Sequence, residues 1–377
     1  MQILTKKGFN KDNIISYGNM FLIGNGHLGY RGTLEEYTKN ELVGLNIVGV
    51  YDQYQDKWRE SLNLPNPFYV NSKSSDANFD VLNGNIIDHF VSLNINKGIF
   101  NRHTEFKESV IYTERFIPFG NQNILCFKYE FITKKDLDLF TNFGIDKDIY
   151  EINGPHFKSK QITQNNNSIC FHGITNEGKN IILEAFYFIN IKNDNNKIID
   201  LDCFSDGIFK IKLNINNGDK LQIICIAKVY ESIDDYKNNH QTFTKKDYNL
   251  FKKAHIIDFY NKWDMARINI YGNKKAQFAL DYSIYHLLIL GNEYYNHSIP
   301  ARGVSGETYK GAIFWDTEIF MVPFFTLTNP KIAKSLLKYR INTLSGALDK
   351  ALEYGYKGAF YAWESQEFGQ DACSKYN

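Results

Sequence analysis

Net charge is what this sequence has least of. Its 43 basic and 42 acidic side chains cancel to a formal +1 over 377 residues. No broad basic field exists to attract nucleic acid or an anionic membrane. Cysteine is sparse too. The five, at 126, 170, 203, 225 and 373, are odd in number, and no two have the close spacing of a zinc or redox motif; a reduced, intracellular protein is the simplest reading. The N-terminus, MQILTKKGFN, lacks the apolar run of a secretory signal. The apolar run at 319–325 is far too short to span a bilayer. HExxH, GxSxG, EF-hand and P-loop patterns are missing, so metal and acyl-transfer chemistry find no support. The expectation is a soluble, cytoplasmic chain without cofactor, nucleic-acid partner or membrane partner.

Aromatics, by contrast, are plentiful, with 29 Phe and 25 Tyr. Most aromatics fill cores, but a surplus also suits carbohydrate sites, where pyranose C–H faces lie on ring faces. The length suggests two or three domains. Residues 1–235 read as many short strands. Phe127, Tyr129 and Phe131 alternate with Lys128 and Glu130, as do Val91, Leu93 and Ile95 with Ser92 and Asn94, the period-2 pattern of half-buried strands. The clearest hairpin pairs 209–215 with 221–230 through Asn217-Gly218, which tolerate the positive φ of a tight turn. Asn-rich tips at 165–167 and 193–196 fit exposed loops. An antiparallel β-sandwich is expected.

Near residue 240 the period changes. Ile256, Phe259, Tyr260 and Trp263 share one helical face, so 236–272 reads as a helical linker. From 273 onward the helices are apolar on more than one face, with Phe278, Tyr282, Tyr285 and Ile289 on one stripe and Leu280, Ile284 and Leu287 on another. Such helices are buried between neighbours, as in an α/α barrel. Pro330 opens a further helix whose stripe runs through Ile332, Leu336, Tyr339, Thr343, Ala347 and Ala351 until Gly355 and Gly358.

Chemistry concentrates where the Gly-rich loop 299–312 meets the apolar helix 317–327. Asp316 there can accept hydrogen bonds from two neighbouring sugar hydroxyls, and the Trp315 indole can stack on or wall off the ring. An ordinary helix start, with Asp316 as N-cap and Trp315 as core, fits the same pattern. Trp363-Glu364 repeats the aromatic–carboxylate pairing on the next loop, and two such pairs point to a shared mouth. Glu307 reads as a solvated loop residue, and Lys310 and Arg302 as solvated cations. The Asn25-Gly26-His27-Leu28-Gly29 run lacks GxGxxG spacing and a strand-to-helix context, which leaves His27 a structural role.

These blocks together resemble glycoside hydrolase family 65, the maltose, trehalose and kojibiose phosphorylases and their relatives. The similarity runs through 24–36 (GNGHLGYRGTLEE), 62–66 (LNLPN), 113–116 (TERF), 298–325, and 354–359 with Trp363-Glu364-Ser365. The resemblance implies an α+β multidomain fold: an N-terminal antiparallel β-sandwich (1–235), a helical linker (236–272) and the first helices of an incomplete (α/α)6 barrel (273–377). It also implies inverting phosphorolysis of an α-linked glucose disaccharide to β-glucose 1-phosphate, with inorganic phosphate as co-substrate. Trp315 and Asp316 match the pair that holds the donor glucose, and Trp363 and Glu364 match a pair lining the sugar pocket.

The sequence also departs from the family. Nothing in 326–377 matches the segment carrying the general-acid glutamate or the later phosphate-binding segments, so that acid is expected beyond Asn377. Ala312 stands where many members have His, and Arg302 where Lys is common. The expectation is therefore the N-terminal part of a phosphorylase, inactive alone, with a homodimer or a complementing second chain as possible partners. A non-catalytic sugar-binding or interaction module and a fragment of a family-65 hydrolase are the alternatives.

Overall fold

A computed structural model describes residues 2–192, 198–203, 206–294, 297–305 and 308–373. The 193–196 tip and Glu307 lie outside the described residues. After a short helix, α1 (Ile14–Met20), strands dominate as far as Tyr230. Nine of them form one antiparallel sheet, in which Ile124–Thr133 and Lys220–Tyr230 are central neighbours. A four-stranded sheet, built from Ile198–Cys203, Ile208–Ile215, Leu137–Asp146 and Asn66–Lys73, packs across it. Period-2 patterning drives this: Phe127, Tyr129 and Phe131 turn inward and are buried. Phe68 stacks on Phe127 at 5.0 Å, and Tyr187 meets Phe143 and Phe209 from the opposite sheet.

The Asn217-Gly218 turn differs from its sequence reading. Ile208–Ile215 pairs with Leu137–Asp146, whereas Lys220–Tyr230 pairs with Ile124–Thr133 and Asn180–Lys192. The turn, with Gly218 at φ +90°, is thus a corner between sheets and not a hairpin. Phe209, Ile211 and Leu213 face Leu221, Ile223 and Cys225 through the core. Alternation specifies an inward face equally well for strands paired by hydrogen bonds and for strands opposed across a core.

The blocks 33–36 and 113–116 meet inside the sandwich as a buried ion network. Arg102 donates to Glu35 (2.9 Å) and, through Nη2, to Glu36 (2.9 Å), while Thr113 Oγ1 donates to Glu35 (2.9 Å). Arg115 donates to the Thr33 carbonyl and lies over the Phe100 ring at 4.1 Å. All four charged side chains are buried, so each charge depends on its partners.

A third sheet, formed by Ile23–Gly24, Leu28–Tyr30, Leu45–Asp52 and Glu60–Leu64, carries the Gly-rich N-terminal block to the helical region. Gly29 seats directly against Val304, where any Cβ would collide with the Val304 carbonyl. His27 is fully buried, its Nε2 3.1 Å from Glu231. The block is a close-packing seat, consistent with a structural His27.

Helices follow: α2 (Ile233–Asn239), α3 (Lys245–Ala266) and α4 (Lys274–Leu288). The inward face of α3 holds Tyr248, His255, Phe259 and Trp263, while Tyr260 points to solvent. Tyr260 therefore does not belong to the buried stripe, and His255 does. His255 stacks on Phe116 at 5.2 Å, and burial pulls its pKa down to about 4, so it packs as a neutral aromatic. From α4, Tyr282 and Tyr285 donate to the carbonyls of Met20 and Leu22. A π-helical turn, Thr317–Met321, leads into α5 (Val322–Thr328), followed by α6 (Pro330–Asn342) and α7 (Leu344–Glu353). The single helix expected from 330 to about 354 is two, broken at Thr343, whose hydroxyl caps the Tyr339 carbonyl at 2.8 Å. The stripe from Ile332 to Ala351 stays buried across the break. Among the described residues, no helix is long and apolar enough to cross a membrane.

Candidate functional site

Two short strands bring the aromatic–carboxylate pairs together. Ile313–Phe314 pairs antiparallel with Glu364–Ser365, Phe314 opposite Glu364. Trp315 and Trp363 therefore extend the same ribbon, side by side. Their rings meet edge to face, 5.1 Å apart at 78°. Phe314 lies 5.8 Å from Trp363, and Tyr309 5.6 Å from Phe314. Trp315 and Trp363 keep 36% and 46% of their surface exposed, an apolar wall left open to solvent. Within the segment 361–365, expected as a loop, Glu364–Ser365 is a short strand because its backbone completes this ribbon, while Trp363 stays in the bend before it.

Helix α6 braces the ribbon. Arg340 grips both oxygens of Glu318 (2.9 and 2.8 Å), donates to Ser365 Oγ (3.0 Å) and reaches the Phe314 carbonyl (3.1 Å). The planar guanidinium suits this role, since it presents several donors in one fixed fork. Tyr339, its neighbour on the buried stripe, sets its hydroxyl 3.0 Å from Ser365 Oγ, and burial raises that phenol to about 12. Thr317 Oγ1 donates to the Ile299 carbonyl at 3.0 Å, tying the turn to the start of the Gly-rich loop.

The carboxylates around the ribbon are in three different states. Glu318 is held by Arg340. Glu364 is nearly buried, and Lys310 Nζ sits 2.8 Å from it. Lys310 also donates to the Ala372 carbonyl and lies 4.7 Å over the Trp58 ring, so it is not a solvated cation. Its backbone is left-handed (φ 56°), as are those of Tyr309 (φ 59°) and Gly311 (φ 66°), a costly conformation for the two non-glycines. Tyr51 Oη, donating to the Gly311 carbonyl at 2.7 Å, pins this turn to the sandwich. Asp316 differs: it is half-buried, already helical (φ −51°, ψ −35°), and its side chain makes no capping hydrogen bond. Asp316 does not act as the N-cap that an ordinary helix start would require. It opens a π-helical turn, a feature found often at functional sites.

Arg302 is exposed, its guanidinium 5.7 Å from the Tyr309 ring. In the sequence Tyr339 reads only as part of the apolar stripe and Arg340 carries no pattern of its own; the one available signal is an Arg one position beyond that Tyr. Glu367 was missed as well. It accepts from Arg59 and Lys179 of the sandwich and locks the ribbon's far end to that domain.

The sequence model of the glycosyl hydrolase family 65 N-terminal domain matches residues 4–258, and that of the family's central catalytic domain matches 281–377. The chain is 35% identical to the nigerose phosphorylase of Lachnoclostridium phytofermentans, with 99% of this chain and 54% of that protein covered. It is 27% identical to the kojibiose phosphorylase of Halothermothrix orenii, covering 99% of this chain and 51% of that protein. A solved structure assigned as a kojibiose phosphorylase, from the human microbiome, superposes with a TM-score of 0.84 at 18% identity, covering 98% of this chain and 52% of that one, and so shares the fold. The chain spans about half the length of the curated relatives it matches. With both domain models matched in order along its length, the chain belongs to glycoside hydrolase family 65.

Proposed function

We propose that Trp315 and Asp316, with Trp363 beside them, grip the glucosyl unit of an α-linked disaccharide as the donor subsite of an inverting α-glucoside phosphorylase. The single observation that carries this reading is the uncommitted Asp316 carboxylate next to the edge-to-face indoles. A carboxylate can take two vicinal hydroxyls while an indole covers the ring's C–H face. Glu364 contributes indirectly, by holding Lys310 and the left-handed turn against the ribbon.

In such a reaction a phosphate oxygen attacks C1 from the face opposite the leaving oxygen. The C1–O bond breaks, a carboxylic acid protonates the leaving oxygen, and β-glucose 1-phosphate departs with a free acceptor sugar. Neither Glu318 nor Glu364 offers a carboxyl group for that proton, because each is spent on a cation. Turnover on this reading needs an acid and a phosphate cradle from a complementing segment or second chain.

Calorimetry with glucose, and a β-glucose 1-phosphate assay with nigerose, kojibiose or trehalose plus phosphate, test the reading. Glucose should bind without turnover, and Asp316→Asn should weaken binding about tenfold or more, the loss expected for hydrogen bonds to a charged group. A folded chain that ignores glucose overturns the grip; release of β-glucose 1-phosphate by the chain alone overturns the need for a complement. The ion-paired glutamates also favour a second reading, a non-catalytic sugar-binding module. The two separate when a segment supplying the acid is added: only the phosphorylase reading predicts restored, phosphate-dependent turnover.

A further inference from the structure

A groove opens where the sandwich, α3 and the α5–α6 junction meet. Two cavities, of about 420 and about 440 Å³, share Gly120, Gln122 and Tyr294 in their walls. Each falls within the ~300–1,000 Å³ of small-molecule sites. The first is bounded by residues 328–331, the end of the 317–328 helical run remote from Asp316. At about 1.5 Å per residue that end lies roughly 17 Å away along the axis.

The Gly-rich N-terminal block builds one wall. Asn25 donates through its side-chain amide to the carbonyls of Pro118 (2.8 Å) and Gln122 (3.0 Å), which fixes the turn beneath the groove. Gly26, at φ +82°, admits the Gly291 carbonyl to within 2.5 Å of where a Cβ would sit, so the opposite wall can close in.

The lining is rich in amides. Asn121, Gln241 and Asn261 are exposed and Gln122 half-exposed along it. An amide sets a donor beside an acceptor, the pattern that vicinal hydroxyls complement. Its charges cancel: Lys228 and Lys262 stand with Asp235 and Asp258, and Lys331 pairs with Glu293 at 4.0 Å. Burial lowers the pKa of Lys228 and of Lys262, and the nearby carboxylates of Asp235 for the first and Glu293 and Asp258 for the second offset their charge. Tyr294, 71% exposed, stands in the wall common to both cavities and offers a ring face to a pyranose.

We propose that this groove is an accessory site for a neutral oligosaccharide, stacked on Tyr294 and hydrogen-bonded by Gln122, Gln241 and Asn261, separate from the Asp316 site. The test is calorimetric titration of maltotriose into the 377-residue chain carrying Asp316→Asn, which weakens the donor grip. Binding should persist there, and adding Tyr294→Ala should weaken it about tenfold, the loss of one stacking contact. Gln241→Ala, also at the surface, should weaken it with an unchanged melting temperature, and inorganic phosphate should not compete. The proposal fails if the Asp316→Asn chain does not bind maltotriose at millimolar concentration, if both groove variants bind like their parent, or if phosphate displaces the sugar.

Discussion

Strand Ile124–Thr133 and helix α7 are both amphipathic, yet they are covered in opposite ways. On the strand, large side chains turn inward: Phe127, Tyr129 and Phe131 are buried between two sheets. On α7 the buried apolar positions are small, Ala347 and Ala351, beside Lys350, which pairs with Asp371 at 2.7 Å, while Leu344, Leu348 and Leu352 face outward, Leu352 with 77% of its surface exposed. Helix α6 adds Leu337 and Ile341, and the turn and α5 add Phe320 and Leu327. The sandwich is thus a closed core. The helices bury one side, through Ile332, Leu336 and Tyr339 on α6 and the alanines on α7, and leave a second apolar face uncovered, the surface of elements built to sit between neighbours. The sandwich thus holds the larger buried core, and the helices the larger exposed apolar face.

The largest expected effect follows from that difference. Arg102→Met leaves Glu35 and Glu36 facing each other inside the sandwich and should cost about 3–5 kcal/mol in urea unfolding. A cost under about 1 kcal/mol would show that the network does not support the core. Next is a pH effect at the sandwich's edge. His156 is buried between Asp52 (3.1 Å) and Glu60 (2.7 Å). Burial alone would lower it, but the two carboxylates outweigh burial and raise its pKa from about 6.5 to about 9. Burial likewise disfavours both carboxylates' charge, yet hydrogen bonds from His156 and nearby amides hold both below their usual values. The imidazolium's contribution, about 3 kcal/mol at most, is complete below pH ~6.5 and lost as pH rises through about 9. The carboxylates' contribution is lost on acidification. His156→Gln should flatten the alkaline side of the melting-temperature profile; an unchanged alkaline slope would assign it to other groups.

Arg340→Met should act on the helical side. It frees Glu318 and the ribbon, costs about 1.5–3 kcal/mol, and weakens glucose binding in calorimetry; Arg340→Lys should not rescue the lost bidentate geometry. Smallest in stability is Leu348→Glu with Leu352→Glu. These should move the unfolding free energy by no more than about 0.5 kcal/mol yet lower the associated fraction in light scattering. Equal association before and after would mean that the outward leucines do not drive it.

Much of this was legible in the sequence. Alternation marked the strands, the 3.6 period marked the change near residue 240, and the indoles of Trp315 and Trp363 meet beside one ribbon. Partnership across the chain was not legible. Period 2 could not tell a hairpin at Asn217-Gly218 from a sheet corner. Tyr260 shared a helical face with Phe259 but lay beyond the buried arc. The break at Thr343 leaves the 330–354 stripe in register, so periodicity passes over it. Lys310 and Arg340 carried no local pattern, because their roles depend on carboxylates 54 and 22 residues away.

The indole pair has an optical consequence. The chain holds only four tryptophans. Trp315 and Trp363 lie 5.1 Å apart, Trp58 sits beneath Lys310, and Trp263 alone is buried in α3. Two indoles so close and steeply inclined couple their excited states, and such coupling splits the circular dichroism of the pair into bands of opposite sign. The ribbon therefore carries its own chiral signal, set by the angle between two rings, and a sugar wedged against either one would register as a change in that splitting without any label.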